Sequence, residues 1–259
     1  LILDGAMGSL LSERLTNSKE YSSLWSSGYN FSHPNEVIKL HKEYISAGAD
    51  IITTNTFRTN PISMRKSDIK TDSRNAVTIA VELAKSASLN TKAIIAGCNP
   101  PAEDCYQIKR TVSYSELREN HTNHIELLMN AGSDLILNET QSHLDEIQIV
   151  TDFCQDHSIP YIISFFIDDN LQILSGEHIS YVLRYVLNKS PLAIGFNCIK
   201  PSTFLLLLQL NEILDILKVS NWGFHLNCGS GNFTDKNIGC SIEPVEYKNF
   251  IRNAAEFFP

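Results

Sequence analysis

Polar side chains follow short apolar runs at several points along the chain. In a parallel α/β protein, the loop after each strand lies at one rim of the sheet, where catalytic residues gather. Two carboxylates, several amides and a thiol at one rim are residue types of an active site, so we interpret them as lining one pocket. The alternative is that loops after strands are polar simply because they are exposed. The residues are Asp4, Asn55, Asn99, Glu139, Asn197 with Cys198, and Asn227 with Cys228.

The stretch around Cys198 is the most informative of these. Residues 193–196 read as a short apolar strand that stops at Asn197 and Cys198, and Pro201 opens an apolar helix directly afterwards. A strand-to-helix loop that carries an amide and a thiol is a candidate catalytic position. Taken alone, Cys198 would more often be a buried structural cysteine, because free cysteine is among the most buried residue types.

Composition and charge restrict the class of protein. The 259 residues are 43% hydrophobic and 19% charged, which is typical of a globular domain with a sizeable core. A net charge of −8 without a cluster of lysine and arginine argues against nucleic acid and anionic membranes as partners. Apolar runs such as 204–208 are far too short to span a bilayer. Six cysteines in a chain of this length do not indicate a disulfide scaffold, so we predict a cytoplasmic protein with reduced thiols.

Strands and helices alternate along the whole chain. Near-continuous apolar strands indicate a sheet that is buried on both faces and is therefore parallel. No linker divides the chain, so residues 1–259 are predicted to form a single domain. Strands are predicted at 1–3, 50–57, 92–99, 134–139, 161–167, 192–197 and 222–227. Helices are predicted at 34–48, 72–88, 113–132, from Ser142 onward, and at 178–188, 201–218 and 244–257, whereas 9–33 and 58–71 read as irregular.

The seven strand–helix units fall one short of a (β/α)8 barrel. Either the sheet is open, or the eighth unit lies beyond Pro259. Two windows, 47–52 and 131–136, resemble each other as a helix end, a glycine, an aspartate and an apolar strand, which supports a repeated helix–strand unit.

Other residues with possible chemistry give weaker signals. His121 and His124 have the spacing of two metal ligands on one helix, but such histidines are more often partly buried helix residues. Residues 228–231 resemble a phosphate-binding glycine loop but lack its lysine and its spacing, so we predict a turn. Cys154 lies in a predicted helix, where packing is the expected role. No lysine stands at a strand end, which disfavours a barrel lyase or aldolase.

Five motifs occur in order along the chain. They are DGAMG at 4–8, LWS at 24–26 with Pro34 and the run 41–57, NET at 138–140, GFNC at 195–198 and NCG at 227–229. Each is similar to a motif of the homocysteine S-methyltransferase family. The chain resembles this family from Leu1 to about Tyr247, which is nearly its whole length.

The resemblance implies a (β/α)8 TIM-type barrel with a zinc ion bound by three cysteines. Cys198 matches the first of these cysteines. The other two are expected beyond Pro259 with the eighth strand–helix unit, so the chain shown would be incomplete at its C-terminal end. Cys240 is a poor substitute because it precedes the helix at Pro244, whereas the family's cysteine pair follows that helix. The loop 99–106 lacks two glycines of the family pattern, and NCGS at 227–230 replaces its NSGE.

The same resemblance implies transfer of a methyl group to the thiol of L-homocysteine, which gives methionine. Zinc would deprotonate the coordinated thiol, and the sulfur would attack the methyl carbon of an onium or methyl-carrier donor. The implied catalytic residues are Cys198, Glu139 and Asp4, with the two carboxylates holding the substrate ammonium group. Trp25, Phe57 or Tyr106 would face a cationic donor. The implied substrate-binding residues are Asp4, Gly5, Met7, Trp25, Asn55, Thr56, Phe57, Glu139, Thr140, Asn197 and Asn227.

The donor and the catalytic competence stay open at the level of sequence. S-methylmethionine, betaine and a methylcobalamin-linked folate system all serve as donors among relatives, and the lack of extra domains in 1–259 favours a free small molecule. A competing interpretation is a diverged barrel that binds a small amino acid without a complete zinc site. The expected partners are homocysteine and a small methyl donor, and the sequence predicts no oligomeric state.

Overall fold

A curled parallel β-sheet forms the centre of the protein. The computed structural model describes residues 1–15, 22–230, 239–240 and 242–256. The sheet is a half-barrel, which confirms a parallel α/β fold and is consistent with a partial TIM-type barrel. A parallel bridge between Leu3 and Ile51 extends it before the first strand. Its six strands pair in chain order, all parallel: β1 (Ile51–Thr53), β2 (Ile94–Asn99), β3 (Leu135–Gln141), β4 (Tyr161–Phe165), β5 (Ala193–Asn197) and β6 (Trp222–His225).

Helices connect the strands and cover the convex face of the sheet. Two further short strands, β7 (Gly229–Ser230) and β8 (Gly239–Cys240), lie outside it. A 3-10 segment spans Ser22–Gly28. The helices are α1 (Met7–Arg14), α2 (Tyr29–Ser32), α3 (Pro34–Ser46), α4 (Pro61–Arg65), α5 (Ser73–Ser88), α6 (Tyr114–Ala131), α7 (Leu144–Asp156), α8 (Ile179–Leu187), α9 (Pro201–Leu207), α10 (Asn211–Leu217) and α11 (Pro244–Glu256).

Successive residues of each strand point to opposite faces of the sheet. On the convex face, Ile136, Ile163 and Ile194 pack under the helices in the main core. Because both faces are buried, the strands read as continuous apolar runs rather than as alternating ones. The same two-residue period decides which residue at each strand end faces the barrel interior. On the concave face, a smaller apolar cluster consists of Leu3, Ile51, Ile94, Ala96, Leu135, Leu137 and Ile162.

Local sequence signals account for several helix ends. Ser113 caps α6, and its side chain and that of Glu116 bond reciprocally to each other's backbone, as the predicted capping box requires. α6 ends at Gly132, whose φ of 99° lies in the left-handed region that glycine adopts without strain. α3 begins with Pro34 in its first turn, where the missing N–H has no cost.

Two stretches predicted to be irregular contain helices. Residues 9–33 include most of α1, the 3-10 segment and α2. Residues 58–71 include α4, which begins because the Asn60 side chain accepts a hydrogen bond from Ser63 N and Pro61 occupies the first turn.

Two helix predictions were also wrong in detail. The predicted helix 201–218 is divided into α9 and α10, since Leu210 has extended backbone angles (φ −89°, ψ 113°). Ser142 does not cap α7. His143 occupies that position, and the Ser142 hydroxyl instead donates to the Cys105 carbonyl at 3.2 Å.

After β6, the described chain forms a short antiparallel ribbon and then α11. In the ribbon β7 pairs with β8, where a simple turn was predicted for 228–231; Gly231 lies outside the described residues. Cys228, directly before the ribbon, is disulfide-bonded, which differs from the prediction that all six thiols are reduced. The described residues add no strand to the parallel sheet after β6. Nor do they contain a helix long and apolar enough to cross a bilayer.

Candidate active site

Polar side chains replace apolar ones at the carboxyl end of the concave face. Because alternate residues of a strand face the same side, Cys98 on β2 faces the same side as Ala96, and Glu139 on β3 faces the same side as Leu137. The same reasoning applied to the neighbouring strands gives one ring of inward-facing residues above the apolar cluster. We call it the polar layer, and it consists of Thr53, Cys98, Glu139, Ser164 and Asn197.

Asp4 joins the polar layer from the segment before α1. Its Oδ2 accepts a hydrogen bond from the Thr53 amide and its Oδ1 one from the Thr53 hydroxyl, both at 2.8 Å. Burial raises the pKa of Asp4 to about 7, although the Thr53 bonds favour the ionised form, and the charge of Glu139 adds to the rise. Asp4 is therefore a carboxyl group that changes its charge near neutral pH.

Glu139 is the second carboxylate and is partly exposed. Within the described part of the chain, its hydrogen-bond donor is the Cys98 thiol, with 3.0 Å between Cys98 Sγ and Glu139 Oε2. Burial, and secondly the negative charge of Glu139, raise the pKa of Cys98 well above its ordinary value. Cys98 is thus a protonated donor, and Glu139 keeps acceptor capacity for a ligand.

Asn197 connects three strands at the floor of the site. Its Oδ1 accepts hydrogen bonds from Thr140 N at 3.1 Å and from Ser164 Oγ at 2.8 Å. Its Nδ2 donates to Thr140 Oγ1 at 2.6 Å and to Cys198 Sγ at 3.3 Å. β3 bulges here, since its register with β4 shifts between Asn138 and Gln141. Thr140 at the bulge and Cys198 both have a φ of 58°, a left-handed conformation that costs about 1–3 kcal/mol each.

The backbone of Cys198 is held by β6 and the loop after it. Cys198 N donates to His225 O at 3.1 Å, and the Asn227 side chain donates to Cys198 O at 2.8 Å. Asn227 N donates to Ile199 O at 2.9 Å. Asn227, expected to bind substrate, therefore supports the strained turn that presents the thiol.

The Cys198 thiol lies among groups that keep it neutral. Burial, and then the charge of Glu139, raise the pKa of Cys198 to about 11, while hydrogen bonds from Thr140, Tyr106 and Asn197 act in the opposite direction. Tyr106 packs edge-on against Phe166, with 5.2 Å between ring centroids. A neutral thiol is a poor nucleophile and a poor ligand, so Cys198 would need a nearby cation to ionise.

Two residues expected to bind substrate are engaged elsewhere. The Asn55 amide donates to Ser26 O at 2.8 Å and to Asn30 Oδ1 at 3.0 Å, which fastens the 3-10 segment to the sheet. Thr56 is fully buried and donates to Cys98 O at 2.7 Å. Their side chains support neighbouring parts of the site because β1 ends at Thr53, so the strand alternation does not extend to them.

Two of the three aromatic candidates, Trp25 and Phe57, contact each other. Trp25 is 46% exposed, has a left-handed φ of 48° and meets Phe57 edge-on at 5.6 Å between centroids. Arg58 places its guanidinium carbon 5.5 Å from the Phe57 ring centroid, so a cationic donor at Phe57 would meet a positive charge. Trp25 is the more accessible of the two rings for such a donor.

The motif 4–8 allows close packing in the same region. A Cβ on Gly8 would lie 2.4 Å from the Trp25 ring, and one on Gly5 would lie 2.7 Å from the Tyr44 ring. Met7 is buried in a cluster with Leu11. The two glycines therefore provide room for aromatic rings, and Met7 contributes packing beneath the site.

Three members of the polar layer were not singled out from the sequence. Thr53, Cys98 and Ser164 each stand two residues after an inward-facing apolar residue of the same strand. Counting the two-residue period from the apolar cluster would have found them, whereas choosing the last polar residue of each strand selected Asn55 and Asn99 instead. Asn99 points to the convex face.

His121 and His124 belong to a separate network on the convex face, which we call the histidine network. His124 Nδ1 lies 2.9 Å from Asn99 Oδ1 and its Nε2 lies 3.0 Å from Thr59 Oγ1. His121 Nε2 lies 2.8 Å from Glu146 Oε1, which also accepts Ala102 N at 2.8 Å. Burial, and secondly His121, lower the pKa of His124 to about 3. Both histidines are fully buried helix residues, more deeply than predicted.

Cys198 alone does not make up a zinc site. Within the described residues, no three histidine, cysteine, aspartate or glutamate side chains are grouped so as to hold a metal ion. A structural or catalytic zinc takes at least three protein ligands. The donor set that the described residues provide therefore does not fit a zinc ion.

The half-barrel, with polar side chains gathered at the carboxyl ends of its strands, has the arrangement found in parallel α/β-barrel enzymes. Residues 1–255 match the profile of the homocysteine S-methyltransferase family, and the chain belongs to that family. The family assignment makes it a methyltransferase.

Individual relatives agree with this assignment. Betaine-homocysteine S-methyltransferase of Drosophila melanogaster is 28% identical over 232 residues, covering 78% of this chain and 70% of the relative. Homocysteine S-methyltransferase 1 of Arabidopsis thaliana is 28% identical over 204 residues, covering 69% of this chain and 62% of the relative. The metallated form of the homocysteine methyltransferase MmuM from Escherichia coli has a TM-score of 0.70 at 22% identity, covering 87% of this chain and 91% of that chain. This structural similarity shows a shared fold.

Proposed function

We propose that this chain transfers a methyl group from a small onium or methyl-carrier donor to the thiol of L-homocysteine, giving methionine. The observation that carries the proposal is the convergence of Asp4, Glu139 and Cys198 at one end of the half-barrel, in a member of this family. In the reaction, the substrate sulfur forms a bond to the methyl carbon while the bond between that carbon and the donor breaks. The proton of the substrate thiol is released.

The two carboxylates suit the amino-acid end of homocysteine. Glu139 has acceptor capacity for the substrate ammonium group, and Asp4 lies close enough for its pKa to respond to the charge of Glu139. A bound ammonium group would favour the ionised form of both carboxylates. Because the Cys198 thiol is neutral, we assign it to the surroundings of the reacting sulfur rather than to the attack itself.

Cys198 is the one residue of this proposal that we expect to bind zinc. The two remaining cysteine ligands would have to come from outside the described residues. We further propose that an eighth strand closes the half-barrel between β6 and the Leu3 segment. A cytoplasmic location is also part of the proposal.

A free small molecule is the donor class that we favour. Trp25 is half exposed and adjoins Phe57, and an indole face attracts sulfonium and quaternary ammonium groups. S-methylmethionine and betaine carry such groups, whereas a methylcobalamin-linked folate system would require access for a larger carrier.

Methionine formation tests the proposal directly. The protein is incubated with L-homocysteine and with S-methylmethionine, betaine or methylcobalamin, and the product is quantified together with the zinc content. Turnover with at least one donor is expected, and Glu139→Gln should raise the KM for L-homocysteine strongly. Absence of methionine with every donor, despite bound zinc, would contradict the proposal.

The second candidate is a diverged barrel that binds a small amino acid without catalysis. It is consistent with the described residues, among which no three metal-ligating side chains are grouped. Calorimetric binding of L-homocysteine by a protein that retains no zinc and forms no methionine would establish this alternative.

A further inference from the structure

The Glu139 carboxylate depends on a residue that the family motifs do not include. Within the described residues, the donor to Glu139 is Cys98 Sγ, 3.0 Å from Oε2. We propose that Cys98 is a positioning residue that fixes the Glu139 carboxylate for the ammonium group of homocysteine. This inference rests on the proposed function and deepens it.

The position of the Cys98 sulfur is itself fixed by the loop after β1. Cys98 N donates to Thr54 Oγ1 at 3.0 Å, and Thr56 Oγ1 donates to Cys98 O at 2.7 Å. The two threonine hydroxyls lie 2.9 Å apart. Cys98 is 1% exposed, and both threonines are buried as well. The backbone of Cys98 is therefore held by hydrogen bonds at both its N–H and its carbonyl, which fixes the point from which the thiol reaches Glu139.

The hydrogen bond to Glu139 gives Cys98 a role beyond packing. A buried cysteine ordinarily behaves as a small apolar residue with a weak donor. Here the donor meets a carboxylate, and hydrogen bonds to ionised groups are stronger than neutral ones. One oxygen of Glu139 is occupied by the thiol, which restricts rotation of the carboxylate and leaves Oε1 for the substrate.

Cys154 provides a matched control. It is also fully buried, on α7, but its sulfur accepts a long hydrogen bond from Asn138 Nδ2, at 4.0 Å, and makes none with Glu139 among the described residues. Removal of its sulfur costs packing in the core without changing the hydrogen bonds of Glu139. A comparison of Cys98→Ala with Cys154→Ala therefore separates positioning from packing.

The experiment measures methyl transfer by the full-length protein in four forms: wild type, Cys98→Ala, Cys98→Ser and Cys154→Ala. The donor is the one that supports turnover in the wild type. We expect Cys98→Ala to raise the KM for L-homocysteine roughly tenfold while kcat changes less than about threefold. Cys98→Ser should restore the KM because its hydroxyl donates to the same oxygen. Cys154→Ala should leave the KM unchanged even where it lowers the melting temperature.

An analogue that lacks the amino group sharpens the test. Calorimetry measures binding of L-homocysteine and of desamino-homocysteine, the thiol acid without the ammonium group, to the wild type and to Cys98→Ala. The variant should lose affinity for L-homocysteine and keep its affinity for the analogue.

Equal losses for both ligands, or equal KM values for Cys98→Ala and the wild type, would overturn the positioning role. A wild type that binds L-homocysteine but makes no methionine refutes the proposed function alone, because the binding comparison still tests Cys98. A wild type that does not bind L-homocysteine refutes both.

Discussion

The two faces of the sheet carry buried polar groups of different character. In the histidine network on the convex face, each ring nitrogen of His121 and His124 has a protein partner. In the polar layer on the concave face, Glu139 has one donor among the described residues, and the Cys198 thiol is kept neutral by its surroundings. Between these two clusters, unused acceptor capacity, rather than burial or charge alone, distinguishes the groups that can bind a ligand from those that hold helices to strands.

The comparison predicts separable consequences for stability and activity. Changes in the histidine network should lower stability and leave substrate affinity intact. Changes in the polar layer or beside it should affect catalysis, substrate affinity or the pH dependence of stability.

The largest expected effect is that of Cys198→Ser. If a cysteine pair from outside the described residues completes a zinc site with Cys198, the full-length variant should lose zinc and reduce methionine formation by roughly a thousandfold or more, while the fold stays largely intact. Metal analysis, a methionine assay and circular dichroism check this. Undiminished turnover would remove Cys198 from the mechanism.

Asp4→Asn should flatten the pH dependence of stability in the ligand-free protein. The pKa of Asp4 is about 7 in the folded state against 3.8 for an exposed aspartate, so the folded state keeps a proton that the unfolded state releases. The stabilisation that this proton provides is fully present below about pH 4 and is lost as the pH rises to about 7. The free energy of unfolding falls by about 4 kcal/mol over this range.

Urea denaturation across this pH window measures the difference. The wild type should lose stability with rising pH more steeply than Asp4→Asn. Asp215→Asn, whose side chain is 72% exposed on α10, is the control and should behave as the wild type. Equal slopes for all three proteins would show that Asp4 does not carry the pH dependence.

His121→Ala should destabilise the fold by about 3 kcal/mol. The substitution leaves a cavity and removes the closest side-chain partner of the buried Glu146. His157→Ala, at the exposed end of α7, removes a ring contact and a hydrogen bond to Phe153 and should cost no more than about 1 kcal/mol. Urea denaturation gives the difference, and the KM for L-homocysteine should stay constant in both variants. If His121→Ala raised the KM without lowering stability, the histidine network would contribute to substrate binding, and the distinction between the two faces would be wrong.

Trp25→Ala should have the smallest effect and should change only the KM for the methyl donor. Loss of one cation–π contact is expected to raise the KM for a sulfonium or quaternary ammonium donor roughly fivefold, with the KM for homocysteine unchanged. Trp25→Phe retains an aromatic face and should recover most of the loss. A similar rise in both KM values would indicate that Trp25 supports the site through packing instead.

The sequence predicted the parallel fold from its apolar strands and placed Asp4, Glu139, Asn197 and Cys198 at strand ends. The structure locates all four at one end of the half-barrel, and their roles remain proposals. Asn55 was chosen on the same reasoning and Thr56 on the family resemblance, but β1 is only three residues long, so side-chain direction beyond Thr53 depends on tertiary contacts. The left-handed conformations of Thr140 and Cys198 had no sequence signal, since neither is glycine.

Asn138 and Glu139 are neighbours in β3 and serve opposite faces of the sheet. Asn138 Oδ1 accepts Asn99 Nδ2 at 2.8 Å in the histidine network, whereas Glu139 accepts the Cys98 thiol in the polar layer. Deletion of one residue earlier in β3 would reverse the faces of the two side chains, because a shift of one position reverses the direction of every residue in a strand. The carboxylate would then enter the histidine network, and the amide would take the position of Leu137 in the concave apolar cluster. The number of residues between the start of β3 and Glu139 is therefore constrained as strictly as the identity of Glu139 itself.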